Sequence, residues 1–506
     1  MILEIYKSIM SPFAGTYMLN QVLTILVLFL MGLLPMLILK EKISYRWILL
    51  SAFPLGLSLF GVLGFLLLIT GIRFDLMRII IAYVIVLLIT TLYGVKSRGS
   101  IVNIIQVHKV NINTINIPVI AAAVIIPAVA ACSGILPQVV TNDSVYYYSV
   151  YPSILLHDGF YTASLDKYLT NVGQTTAIIQ CLPFMLGFDE TFGIQHFFNM
   201  NSILIFFAAL YDEVKKSSVN RKTGIILSSL CTLFLITSEP FLVISSWILS
   251  NVYFTGFFFA VFYIFVKTVD ENADSADYDL LLVFLCSMLI MTRMEGGVMV
   301  LCLALALSTM QVSGKKLLLT FGLPLVITEV GYYVNLYLKI GINPLYSFLD
   351  MKTAVLMCGM IAAFIVYITL IRNRLPETYT PVLLIAALIA GNAGLLVINH
   401  SRYITNIRAF IMNIRLGNGW GTFWIMIVIY VVLLVSEVIR RRFRSIPVRV
   451  FLPAAMVLTV FAVCFARGGV LAVRTSDSGN RVLMEMVPVI TYSIFATLLK
   501  KRGTSE

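Results

Sequence analysis

The chain is expected to fold as an all-α polytopic membrane protein, and three observations carry that expectation. Of its 506 residues 60% are hydrophobic and only 12% are charged, where soluble domains run near a quarter charged. Apolar runs of about 20 residues, the length a helix needs to cross the hydrocarbon core, recur along the whole chain. The 36 Lys+Arg against 24 Asp+Glu give a formal charge of +12, but the basic residues fall in short clusters between the runs. Topology determinants are placed in that way, and a nucleic-acid surface is not. About 15 such helices would consume roughly 300 positions and leave no room for a separate soluble domain.

In order, the runs lie at about 18–39, 47–70, 76–95, 117–136, 191–211, 224–244, 249–268, 279–292, 297–312, 317–338, 352–371, 378–398, 419–439, 449–466 and 482–499. The first is too long for a signal-peptide core and no small-residue cleavage site follows it, so it is expected to remain as an anchor. If all the runs cross, seven clusters fall on one side: Lys40/Lys42/Arg46, Lys96/Arg98/Lys109, Lys215/Lys216/Arg221/Lys222, Lys315/Lys316, Arg372/Arg374, Arg440/Arg441/Arg442/Arg444 and Lys500/Lys501/Arg502. By the positive-inside rule that side is cytoplasmic. The run 174–188 is short, carries Pro183 and would break the parity, so it is assigned as re-entrant or juxtamembrane. The acidic stretch at 270–279 reads as a solvated linker. Cys132, Cys181, Cys231, Cys286, Cys302, Cys358 and Cys464 lie in or beside apolar runs without CxxC spacing and read as packing residues.

This arrangement leaves 137–190, 293–296, 399–418 and 467–481 on the far side, and these stretches hold most of the polar chemistry. The longest opens with Asp143 and then Tyr146, Tyr147 and Tyr151, with His157 and Asp158 further on. Tyrosines there fit an interfacial belt; a carboxylate among aromatic rings also fits a base that takes a proton from a sugar hydroxyl. Asp189 and Glu190 close the same stretch as a further acidic pair. In TRMEGG, Arg293 and Glu295 interrupt an apolar region where charges are costly unless paired. Two residues apart on a helix they would not meet, so either the helix breaks at Gly296/Gly297 or each has its own partner. His400, Arg402, Arg408 and Arg415 lie without a carboxylate among them, suited to lipid phosphate of the bilayer or of a lipid-linked substrate. Arg474, Asp477 and Arg481 precede a last span bearing Glu485 and Pro488.

These residues resemble the GT-C superfamily of polytopic glycosyltransferases that use polyprenyl-phosphate-linked sugars. The likeness rests on an acidic residue soon after a span followed by Tyr and Gly (Asp143, Tyr147, Gly159), on LGFDETFG at 186–193, on the RMEG break, and on GNRVLMEMVPVI with Arg481 and Pro488 in matching places. It covers about 130–300 and, more weakly, 478–490. Ser144 stands where the family has a second acidic residue, and Val482 where it has Tyr. The resemblance implies three parts: an N-terminal three-helix segment (1–116), a catalytic membrane module (117–312) with its extracytoplasmic loop at 137–190, and C-terminal helices with basic outer loops (313–506). It implies Asp143 as catalytic base, and arginines late in the chain, among Arg402, Arg408, Arg415, Arg474 and Arg481 with His400, as ligands of the donor phosphate. Tyr146, Tyr147, Tyr151, His157 and Asp158 would contact acceptor or sugar.

The expected activity is glycosyl transfer at the outer face of the plasma membrane, from a polyprenyl-phosphate sugar to a glycan, lipid or protein acceptor. The alternatives are a repeat-unit polysaccharide polymerase and a lipid-linked oligosaccharide flippase or other transporter. Membrane lipid is an expected partner and nucleic acid is not. The residues point to no particular cofactor; a divalent metal could be held by Asp143 with Asp189/Glu190, although no dense Asp/His motif indicates one.

Overall fold

Apolar segments in lipid must pair every peptide group internally, which leaves the helix as the route for a single crossing segment. The computed structural model describes residues 16–38, 45–98, 124–125, 145, 149–159, 174–188, 193–247, 249–270, 276–293, 295–339, 351–375, 379–442, 444–466 and 471–502. The described residues form α1 (Thr16–Ile38), α2 (Tyr45–Ile69), α3 (Leu76–Arg98), α4 (Tyr151–His157), α5 (Thr175–Met185), α6 (Gly193–Lys215), α7 (Arg221–Thr237), α8 (Glu239–Ser246), α9 (Asn251–Asp270), α10 (Ala276–Thr292) and α11 (Gly296–Leu307). There follow α12 (Gly314–Asn335) and α13 (Met351–Arg374), then α14 (Thr380–Ile398), α15 (His400–Arg415), α16 (Trp424–Arg440), α17 (Val448–Ala466), α18 (Ser478–Met484) and α19 (Val487–Arg502).

Among the described residues 11 helices are long and apolar enough to cross a membrane, with α18 and α19 counted as one. The number is 12 if α7 and α8, bent by 62° at Ser238, form one span. The protein thus has the all-helical architecture of a multi-pass membrane protein. The count differs from about 15 for identifiable reasons. The run at 117–136 lies outside the described residues apart from 124–125. The runs 279–292 and 297–312 give α10 and α11, helices of 17 and 12 residues; at 1.5 Å per residue α11 reaches about 18 Å, well short of a ~30 Å hydrocarbon core. Its short end is closed by Arg372 of α13, whose Nε, Nη1 and Nη2 donate to the carbonyls of Ser308, Val312 and Met310 at 3.0, 2.6 and 2.8 Å.

Helix α9 is buried along nearly its whole length, packed chiefly on α10 and α6, with α19 beside it and α2 reaching it through Trp47, stacked on Tyr263; α3, α14 and α16 expose most of their apolar side chains. The tightest crossing joins α1 and α2, where a Cβ on Gly32 would fall on the Ala52 carbonyl oxygen and one on Gly56 on the Leu28 carbonyl oxygen. Only glycine allows backbones that close.

Ion pairs bind one end of the bundle. Asp212, near the end of α6, accepts from Arg46 and Trp47 of α2 and from Lys267 of α9. Beside it Glu213 accepts from Arg449 of α17 at 2.9 Å and from Tyr492 of α19 at 3.0 Å. Basic residues of α2 (Arg46), of the α6–α7 turn (Lys216), of α12 (Lys316) and of α17 (Arg449) are paired at this end. Lys216 pairs with Asp270 at 3.0 Å and Lys316 approaches Asp279 at 3.9 Å, so the two ends of the acidic stretch expected as a solvated linker are ion-paired. At the opposite end, Asn335 of α12 donates to the Ile69 carbonyl of α2.

Candidate functional site

Three interruptions of helical structure converge at that opposite end. The first is the turn from α10 to α11. A Cβ on Gly296 would strike the Ile290 carbonyl oxygen, so glycine is what lets the chain fold back there. The amide of Gln174, at the start of α5, donates to the Met291 carbonyl at 2.8 Å and satisfies one of the acceptors left at the end of α10. The second interruption divides α18 from α19 at Glu485 and Met486, just before Pro488. The third lies between α8 and α9, where Trp247 follows one helix and Asn251 opens the next.

Charged side chains from these interruptions meet. Arg293 Nε donates to Glu295 Oε1 at 2.7 Å, and its Nη1 lies 3.5 Å from Glu485 Oε1. Asn251 Nδ2 donates to the same Glu485 oxygen at 2.6 Å. All four residues are buried. Helix break and ion pair therefore coexist in TRMEGG: leaving the helix at Thr292 is what allows residues 293 and 295 to meet. The other Glu485 oxygen, Oε2, has no hydrogen-bond partner among the described residues. One turn earlier Arg481 lies over the Trp247 ring, 4.9 Å from its centroid, and the Trp247 carbonyl accepts from Gln195 of α6 at 2.9 Å. A guanidinium between two carboxylates, with a second guanidinium a turn away, can orient an anion or hold a carboxylate for proton transfer.

A shell of loops fixes the start of α18, the helix that carries Arg481. Asp477 accepts from the Asn480 amide as N-cap of α18. Asn480 Oδ1 accepts from Trp420 Nε1 at 2.8 Å, and its Nδ2 donates to the Asn418 carbonyl at 3.2 Å. The Gly417–Gly421 turn that presents Trp420 has three glycines at positive φ (75°, 79° and 49°), a conformation costly for any other residue.

The segment 399–418, expected as a loop, is largely helical. Asn399 caps α15 by accepting from the Arg402 amide, and Gly417 ends it at positive φ. The inward face is polar: Asn406 Oδ1 accepts from the Leu471 amide at 2.8 Å and Asn413 Nδ2 donates to the Ala472 carbonyl at 3.0 Å. Arg408, Arg415 and His400 are exposed, while Arg402 packs over Phe465 at 5.0 Å. Arg474 is exposed in the 471–477 segment. The arginines expected together at a donor phosphate are thus divided, with Arg481 at the buried cluster and Arg408 and Arg415 on an outward helix face.

Asp143, Tyr146, Tyr147, Asp189 and Glu190 lie outside the described residues. Tyr151 is buried beneath α4, and His157 and Asp158 are exposed at its end. Helix α5, 11 residues long, packs on α4 through Cys181 and the Pro152 carbonyl and docks on the end of α10. Among the described residues no group of three or more His, Cys, Asp or Glu side chains is placed to share a metal ion.

Sequence reading passed over Asn251, Gln195, Trp247 and Asn480, and named Glu485 without giving it a role. It also passed over Glu329, buried in α12 beside Gly297, where a Cβ would lie 2.8 Å from the Glu329 carboxyl carbon. The available signal was a polar side chain within or at the end of an apolar run. Comparison with known proteins leaves this geometry as the basis for function, since no family model, curated protein or solved structure matches the chain.

Proposed function

We propose that the chain is an integral-membrane glycosyltransferase that moves a sugar from a polyprenyl-phosphate donor to an extracytoplasmic glycan, lipid or protein acceptor. The observation that carries the reading is the buried Arg293–Glu295–Glu485–Asn251 cluster with Arg481 beside it, at the bundle end away from the Asp212 ion network. An amphiphilic donor needs an apolar bundle for its chain and, at the boundary, fixed cations for its phosphate. Charges buried at such cost are commonly functional.

In this reading Asp143 accepts the proton of the acceptor hydroxyl as its oxygen attacks the anomeric carbon. The bond from that carbon to the phosphate oxygen breaks, and the electron pair leaves with the polyprenyl phosphate, so a single displacement inverts the centre. Arg481 and Arg474 stabilise the departing phosphate, while Arg293 keeps Glu485 and Glu295 in place. The reading puts the protein in the plasma membrane with the site outside. Its test is incubation of the purified, reconstituted chain with radiolabelled polyprenyl-phosphate sugars and candidate acceptors. Label leaving the lipid for an acceptor is expected; label that never leaves the lipid across the donor panel overturns it.

A second reading, a lipid-linked oligosaccharide transporter, is favoured by the bent α7–α8 pair and the break at Glu485, because discontinuous helices commonly form substrate sites in transporters. It predicts that labelled lipid changes leaflet while chemically intact.

A further inference from the structure

Helix α15 joins α14 through a single residue, Asn399. The last residues of α14, Val397 and Ile398, are 85% and 74% exposed, apolar surface that lipid must cover. Instead of rising from the bundle, α15 lies across it. Tyr403 donates to Asn392 of α14 at 2.5 Å, and the Phe410 ring packs edge-on against Phe461 of α17 at 5.5 Å. Both partners sit within the last two turns of their own helices. The 16 residues of α15, about 24 Å long, therefore occupy the level at which hydrocarbon gives way to headgroups.

The outward face has the chemistry of that level. Thr405, Arg408, Ile411 and Arg415 fall three or four residues apart on one stripe, and all are exposed, with Leu416 just beyond. Neither Arg408 nor Arg415 has an ion-pair partner among the described residues. The sequence from 378 to 436 contains no Asp or Glu at all. Two unneutralised guanidiniums alternating with exposed aliphatic side chains match a layer of anionic phosphates above acyl chains: stems and Ile411 lie in the apolar zone, and the charged heads reach up to phosphate oxygens.

We propose that α15 is an interfacial helix whose Arg408–Arg415 stripe binds the phosphates of anionic bilayer phospholipids. The proposal stands apart from the glycosyl-transfer reading, but the same helix grips Leu471 and Ala472 through Asn406 and Asn413. A bound headgroup layer would thereby steady the strand of chain that leads to Asp477 and Arg481.

The test uses the full chain in neutral detergent, with phosphatidylglycerol or phosphatidylcholine titrated in and bound lipid counted by native mass spectrometry. Wild type is expected to prefer phosphatidylglycerol. Joint Arg408→Gln and Arg415→Gln should weaken that binding about ten- to thirty-fold, whereas joint replacement by Lys should retain most of it. Lys222→Gln, an exposed cation near the other end, should change nothing. Hydrogen exchange on unaltered protein supplies a reading free of variants: 400–416 should be protected by phosphatidylglycerol and not by phosphatidylcholine. Equal binding of phosphatidylglycerol by wild type and the Gln pair, or equal protection by both lipids, overturns the proposal. So does a Gln pair that loses polyprenyl phosphate while keeping phosphatidylglycerol, because the stripe would then belong to a donor site.

Discussion

Glu485 concentrates the chemistry of the buried cluster, because one of its oxygens is held by Asn251 and approached by Arg293 while the other has no partner among the described residues. Removing one member of a buried charged set strands the rest. Glu485→Ala should therefore cost about 3–5 kcal/mol of stability, and Glu485→Gln, which keeps an acceptor for Asn251, distinctly less. Thermal unfolding of both variants in one detergent measures the order. Asp143 is a different kind of residue, argued from chemistry and from the resemblance. Asp143→Asn should leave expression and donor binding intact and lower transfer by about 10²–10⁴-fold; near wild-type transfer by monodisperse mutant protein would remove it as base. Part of this was legible beforehand. Two charges in TRMEGG demanded a partner or a break, and both are present. The partnership with Glu485 and Asn251 was not legible, because it joins residues 234 positions apart, and single-chain patterns carry no such information.

Among the elements, the α1–α2 crossing is the least tolerant of change. Gly56→Leu would push a side chain into the Leu28 carbonyl, a backbone group with no rotamer to yield. The expected outcome is loss of monodisperse protein on gel filtration, while Gly359→Ala, in α13 with nothing within 4 Å of its added Cβ, should elute as wild type. Long apolar helices were readable from run length alone. Helix α15 was readable too: Tyr403, Ile407, Phe410 and Ile414 recur at helical spacing between an Asn cap and a terminal Gly. Weighing that segment by its arginines concealed the period. Likewise Ser238 with Pro240 carries the signature of a new helix start, yet the run continues apolar across it, and hydropathy sees a straight span where the chain bends.

At the scale of the molecule, hydrogen bonds and ion pairs collect at the two ends of the bundle. One end joins α2, α6, α9, α17 and α19 through Asp212 and Glu213; the other gathers the helix breaks, α15 and the 471–477 segment. We propose, from the positive-inside rule, that the first faces the cytoplasm. Single cysteines at 163 and 408 in a chain lacking its native cysteines should then react with an impermeant maleimide in intact cells, and cysteines at 217 and 442 should react only after lysis. Protection of 163 alongside a labelled control would overturn the sharing of one outer site by 137–190 and the late arginines. The basic clusters made it legible that Arg46, Lys216 and Lys316 share one end. The acidic partners did not announce themselves, since Asp212 and Glu213 stand beside Lys215 and Lys216 and read as surface charge, whereas both are buried.

The closure of α11 by Arg372 has a consequence for biosynthesis. Met310 leaves the ribosome 62 residues ahead of the side chain that satisfies its carbonyl, and α11 alone is too short to register as a finished crossing. An α10–α11 hairpin made before α13 would therefore lack the donor that pairs the Ser308, Met310 and Val312 carbonyls in the finished fold. A nascent chain stalled before Arg372 would leave those three carbonyls, at the short end of α11, exposed to the bilayer without a partner from α13.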